Sequence, residues 1–99
     1  MKVFISQPMR DKTNEQIKEE RERAIDVLEK LYDNVEIEFI DSFFENAPHD
    51  AKPVWYLGQS ITLLSQADVA YFIKGWNEYR GCKIENTICR EYGIPTIEE

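Results

Sequence analysis

The segment Lys74-Gly75-Trp76-Asn77-Glu78-Tyr79-Arg80-Gly81-Cys82-Lys83-Ile84-Glu85 is dense in groups that recognise ligands. Trp76 and Tyr79 offer rings that stack on a base. Lys74 and Arg80 offer positive charge to a phosphate, and Gly75 and Gly81 let backbone approach a ligand closely. Asn77 and Cys82 complete the candidate substrate-binding set in this stretch. Glu85 is the candidate catalytic residue. The spacing predicts a helix over roughly Cys82 to Tyr92, which puts Glu85 in its first turn, where the positive end of the helix dipole favours an ionised carboxylate. A carboxylate in that state suits nucleophilic catalysis. Each feature also has a plainer reading: an acid that stabilises a helix start, rings that pack a loop over a sheet edge, and cysteines that fill small spaces in a core.

Two more segments join the candidate set by position. Ser6-Gln7-Pro8-Met9-Arg10 breaks the short apolar run Lys2 to Ile5, as a loop leaving a buried strand does. Asp41 and Ser42 follow Val35, Ile37 and Phe39, which alternate with Glu36 and Glu38 in the period of a strand with one wet face, the mark of an edge strand. Between these strands, Thr13 and Gln16 form a Thr-x-x-Gln capping box. Ile17, Ala24, Ile25, Leu28, Leu31 and Tyr32 then recur at helical spacing. Asp41 to Pro53 reads as a long surface loop containing His49, a residue best placed in solvent. A helix is expected over about Val54 to Gln66, burying Leu57, Ile61 and Leu64. Asp68 to Ile73 is a near-continuous apolar strand of the kind buried on both faces of a parallel sheet. Gly93 and Pro95 end the last helix, and Ile94 to Ile97 forms a final short strand.

The order strand, helix, strand, helix, strand, helix, strand predicts an α/β fold: a single three-layer domain over residues 1–99. Its mainly parallel Rossmann/flavodoxin-like sheet has about four strands, with helices on both faces. Ligands bind such sheets at the carboxyl ends of the strands, near the point where strand order reverses. Ser6 to Arg10, Asp41 to Phe44 and Lys74 to Cys82 all lie at such ends.

Composition narrows the partners. The 99 residues carry 12 Lys and Arg against 19 Asp and Glu, a net charge of −7. So acidic a chain does not suit duplex nucleic acid or an anionic membrane, both of which call for clustered cations. Small phosphorylated ligands stay open, since one or two local cations suffice for them. Cys82 and Cys89 do not form a disulfide framework, and with one histidine a zinc site is not expected. No apolar stretch approaches the ~20 residues of a membrane span, and the N-terminal apolar run is too short for a signal peptide. A cytoplasmic protein is the expectation. Neither Gly-x-x-x-x-Gly-Lys nor Gly-x-Gly-x-x-Gly follows the first strand, and that strand end lacks the acidic cluster of a Mg²⁺-binding receiver domain.

Taken in order, these residues resemble the nucleoside 2-deoxyribosyltransferase-like family. Phe4-Ile5-Ser6-Gln7-Pro8-Met9 is similar to its opening strand and turn, and Ala67-Asp68-Val69 to its central strand. Arg80-Gly81-Cys82-Lys83-Ile84-Glu85, continued to Tyr92-Gly93-Ile94-Pro95, resembles its Gly-x-x-x-Glu helix ending in Gly-x-Pro. Gly75-Trp76 before that motif is similar to a branch of small bacterial and phage proteins. The resemblance covers nearly the whole chain. It implies cleavage of an N-glycosidic bond, with Glu85 attacking the anomeric carbon, as hydrolase or deoxyribosyltransferase. It also implies Ser6 and Gln7 holding sugar hydroxyls or phosphate, no metal or organic cofactor, and a homodimer or higher homo-oligomer.

The chain departs from the family pattern at three positions. Tyr79 stands where members carry Asp or Ser, Ser60 where a leaving-group acid is usual, and Gln7 where a glycine is usual. These departures give a second expectation, a non-catalytic nucleotide-binding protein that senses or sequesters a nucleotide signal. A third is an assembly protein using the sheet edge near Val35 to Ile40.

Overall fold

The computed structural model describes residues 1–41 and 47–99. Ser42 and the rest of the 42–46 segment lie outside the described residues. Strand β1 spans Lys2–Ser6, helix α1 Asn14–Leu31, strand β2 Glu38–Phe39, helix α2 Pro53–Leu64, strand β3 Val69–Phe72, helix α3 Arg80–Tyr92 and strand β4 Thr96–Glu98; a short 3₁₀ turn occupies Trp76–Glu78. All three strand pairings are parallel, in the order β2-β1-β3-β4. The fold is the expected α/β arrangement of Rossmann/flavodoxin-like type.

Alternation along the central strands builds the three layers, because successive side chains point to opposite faces. Val3, Ile5, Val69, Tyr71 and Ile73 pack with Ala24 and Leu28 of α1 on one face. Phe4, Ala70 and Phe72 pack with Leu64 of α2 and Cys89 of α3 on the other. Ser6, two residues after Phe4, therefore belongs to the face covered by α2 and α3. Both central strands are buried on both sides, apart from Lys2.

Local signals decide the helix ends. The Thr13 hydroxyl accepts from Gln16 N–H at 3.1 Å while the Gln16 side chain accepts from Thr13 N–H at 2.9 Å, so the predicted capping box forms. Gly93 closes α3 in the left-handed region at φ 72°, a conformation that costs residues with a Cβ about 1–2 kcal/mol.

Four expectations need correction. The β2 ladder pairs only Lys2 with Glu38 and Val3 with Phe39, so Val35 and Ile37 stand outside it; β2 is an edge strand as expected. Leu57 and Ile61 are half-buried, and only Leu64 of α2 is fully buried. The last strand is Thr96–Glu98, so Ile94 and Pro95 precede it. Helix α3 starts at Arg80 and takes in Gly81, which moves Glu85 out of the first turn into the second.

Candidate active site

The chain runs from β1 outward to β2, then returns to β3 on the other side of β1, so strand order reverses between β1 and β3. At the carboxyl ends of these two strands lies a cleft of about 310 Å³, near the lower end of the ~300–1,000 Å³ usual for small-molecule sites. Three pieces of chain form its walls: the end of β1 and its loop from Phe4 to Arg10, one side of α2, and Tyr79 to Cys82 with Glu85. Among the sequence-predicted residues, Ser6, Gln7, Pro8, Met9, Arg10, Tyr79, Arg80, Gly81, Cys82 and Glu85 meet there.

Other predicted residues are placed elsewhere. Trp76 packs against Phe72, ring centroids 5.4 Å apart, and joins the core beneath α3 instead of lining the cleft. Gly75 precedes it at φ 93° and opens the 3₁₀ turn, while Asn77 is exposed within that turn. Asp41 is exposed, and its charge acts on Arg21 of α1. Asp68, in the strand motif of the family resemblance, sits at the opposite end of the sheet, where its Oδ2 accepts from Lys2 N–H at 2.7 Å. Sequence reasoning missed Pro53, Tyr56 and Leu57, which with Ser60 form the α2 wall. Their i, i+3, i+4, i+7 spacing marks one helix face and was the available signal.

The centre of the site is a buried polar pair. The side chains of Cys82, Glu85, Asn86 and Cys89 form the inner seam of α3, and two of these four are polar. Asn86 is satisfied at the strand side, its Nδ2 donating to Glu98 Oε1 at 2.9 Å. Glu85, 6 % exposed, accepts a 2.7 Å hydrogen bond at Oε1 from Ser6 Oγ, 79 residues away in sequence. Burial pushes the Glu85 carboxyl up to about 7, against the opposing pull of the Ser6 hydrogen bond. The expectation of a carboxylate held ionised by the helix dipole is thus replaced: desolvation dominates, because the helix starts two residues earlier than the sequence suggests and the side chain is enclosed. A carboxyl with this pKa is about half ionised near neutrality, the range in which it serves either as base or nucleophile or as acid.

The thiols of Cys82 and Cys89 are both free and buried, and burial pushes each up to about 11, with the Glu85 charge adding to the effect. They are neutral fillers beside the carboxyl. At the cleft mouth the charge is opposite to that of the chain as a whole. Arg10 lies 5.9 Å and Lys12 6.0 Å from the centre of the Tyr79 ring, and Arg80 is exposed beside it. Lys12 is also paired with Glu20 at 2.8 Å, and Arg10 lies 3.9 Å from exposed Asp11. Gln7 donates from its side-chain amide to the Ile17 carbonyl of α1, which ties the β1 loop to the first turn of that helix, and its Oε1 is buried without a hydrogen-bond partner.

No group of three or more His, Cys, Asp and Glu side chains that could hold a metal occurs among the described residues. No described helix is long and apolar enough to cross a membrane. Comparison with protein-family models, curated proteins and solved structures gives no match for this chain.

Proposed function

We propose that this protein acts on the N-glycosidic bond of a nucleoside or nucleotide, as a hydrolase or deoxyribosyltransferase with Glu85 as nucleophile. One observation carries the reading: a buried carboxyl, hydrogen-bonded to Ser6, lines the cleft at the point where strand order reverses. In this reading Glu85 attacks the anomeric carbon, the base departs, and a glycosyl ester forms. Water or a second base then resolves the ester. Two displacements through a covalent intermediate are a recognised use of a carboxylate. Tyr56 and Tyr79 supply aromatic walls for the base, and Arg10 and Arg80 supply positive charge at the mouth for a phosphate, where the ligand carries one.

A second reading, a nucleotide-binding protein that senses or sequesters its ligand, is favoured by a separate observation. Glu85 is the one carboxyl among the described residues lining the cleft, and Ser60 occupies part of the α2 wall. General acid–base catalysis is typically worth ~10²–10⁴-fold, so a leaving base without an acid partner departs slowly.

A homo-oligomer fits either reading: Met9 lines the cleft yet is 38 % exposed, which leaves apolar rim for a second subunit to cover. The unpaired thiols of Cys82 and Cys89 fit a reducing, cytoplasmic setting.

The test is incubation with a panel of deoxynucleosides, ribonucleosides, their phosphates, dinucleotides and cyclic nucleotides. Mass spectrometry then follows both the solution and the desalted protein. The glycosidic reading expects released base, a glycosyl adduct on the protein, and loss of both in Glu85→Gln. Intact ligand carried by the protein, with no free base, supports the binding reading. The absence of both overturns the nucleotide assignment.

A further inference from the structure

The two oxygens of Glu85 are unequal. Oε1 accepts the Ser6 hydroxyl at 2.7 Å, whereas no described protein group donates to Oε2. Ser6 is itself firmly placed. It is 1 % exposed and lies in register with Phe72 of β3, and its carbonyl accepts from Ile73 N–H at 3.1 Å. The hydroxyl therefore reaches Glu85 from the last residue of a central strand, and the carboxyl is held at the cleft by a partner on a different element. A group fixed in this way loses little freedom on engaging a ligand, which is the physical content of preorganisation.

We propose that Ser6 is the positioning residue of this site: its hydroxyl holds Oε1 of Glu85 from the end of β1 and leaves Oε2 as the oxygen that engages the ligand. The inference rests on the glycosidic reading above and assigns the attacking atom within it. A lone pair of Oε2 forms the bond to the anomeric carbon as the carbon–nitrogen bond breaks, and that bond's electron pair leaves on the base nitrogen. The nitrogen takes a proton from water. The resulting ester keeps Oε1 as its carbonyl oxygen, still able to accept from Ser6. A second water then adds at the anomeric carbon and restores the carboxylate, its released proton neutralising the hydroxide left by the first.

Other groups near Glu85 do not substitute for this contact. Cys82 and Cys89 on α3 are neutral thiols, and Ser60 of α2, Tyr79, Arg80 and Arg10 line the same cleft without a hydrogen bond to the carboxyl. The Ser6 bond is the influence that draws the Glu85 pKa down against burial.

The experiment compares wild type, Ser6→Ala and Ser6→Thr by two readouts. The first is titration of the Glu85 side-chain carboxyl by carbon-13 NMR. The second is the pH profile of base release with the substrate found in the panel. Loss of a hydrogen bond to the charged form is expected to move the Ser6→Ala titration midpoint upward by about one pH unit. The acidic limb of kcat/KM should move with it, and Ser6→Thr, which keeps the hydroxyl, should return both toward wild type. An unchanged midpoint in Ser6→Ala overturns the positioning role, whether or not base is released. A shifted midpoint in a protein that releases no base from any substrate keeps the Ser6 hold on Oε1 and overturns the glycosidic reading. Base release with identical pH profiles in wild type and Ser6→Ala overturns the positioning role alone.

Discussion

Replacing Glu85 by glutamine should stabilise the protein above neutral pH and leave its stability nearly unchanged in mild acid. The folded state holds this carboxyl with a pKa of about 7, raised from an ordinary 4.5 by burial. Between those two values the folded chain keeps a proton that the unfolded chain has released. Stability therefore falls as pH rises through this window, by about 1.4 kcal/mol per pH step, or roughly 3 kcal/mol in all. The contribution is fully present below about 4.5 and lost above about 7. Glutamine is the neutral isostere and its carbonyl can still accept from Ser6, so the variant escapes the loss. Urea unfolding followed by tryptophan fluorescence at pH 5, 6, 7 and 8 measures the difference directly, and other titrating groups cancel between the two proteins. The variant should gain up to about 3 kcal/mol at pH 8, which for a domain of this size corresponds to roughly 10 °C or more in Tm. A difference that stays constant across pH, or a wild type that is the more stable protein at pH 8, would refute the claim that Glu85 is a desolvated carboxyl.

Two further outcomes test other parts of the structure. Thr13→Ala removes one half of the capping box at the start of α1 and should cost about 1 kcal/mol, read as a lower urea midpoint with unchanged slope. Cys82 and Cys89, both buried with thiols pushed up to about 11, should resist a colourimetric thiol reagent at pH 8 in the native protein and react fully in urea; rapid native reaction of either would show that the inner seam of α3 opens.

Legibility from the sequence follows the range of the interactions involved. Thr13 with Gln16, and Gly93 before Pro95, are signals within one turn of chain, and both act in the structure as their residue types demand. The apolar run of β3 is equally local, since burial on both faces leaves no room for polar alternation. Strand β2 was less legible because its alternation extends beyond what β1 offers: β1 begins at Lys2, opposite Glu38, and before that point Val35 N–H turns back to the Tyr32 carbonyl while the Met1 amino group donates to the Glu36 carbonyl. At α3 the glycine misled. Gly81 reads as loop, yet at the second helical position it meets no penalty large enough to delay the start, and Arg80 already has helical geometry. That shift of two residues changes the physics assigned to Glu85, from dipole stabilisation to desolvation. Trp76 was ambiguous in sequence because a ring beside a glycine serves packing and ligand stacking equally well; Phe72, four residues earlier, is what claims it. The α2 wall was readable in principle, since Pro53, Tyr56, Leu57 and Ser60 share a face, but nothing local shows which element that face meets.

The parallel pairing of β1 with β3 sets the timing of site assembly. Val3 finds its partner Val69 only across the intervening 65 residues, and Ser6 finds Glu85 across a still longer span. Closing loops of this length costs chain entropy before any contact repays it, which slows folding of parallel sheets. During synthesis the apolar β1 strand emerges well before β3 exists to pair with it, so Val3, Phe4 and Ile5 wait without their principal neighbour. The carboxyl and its hydroxyl partner likewise need both ends of the chain to meet. A chain in which β1 has not yet met β3 and α3 therefore carries Glu85 as an ordinary solvated acid, and the unusual carboxyl exists only once these elements are joined.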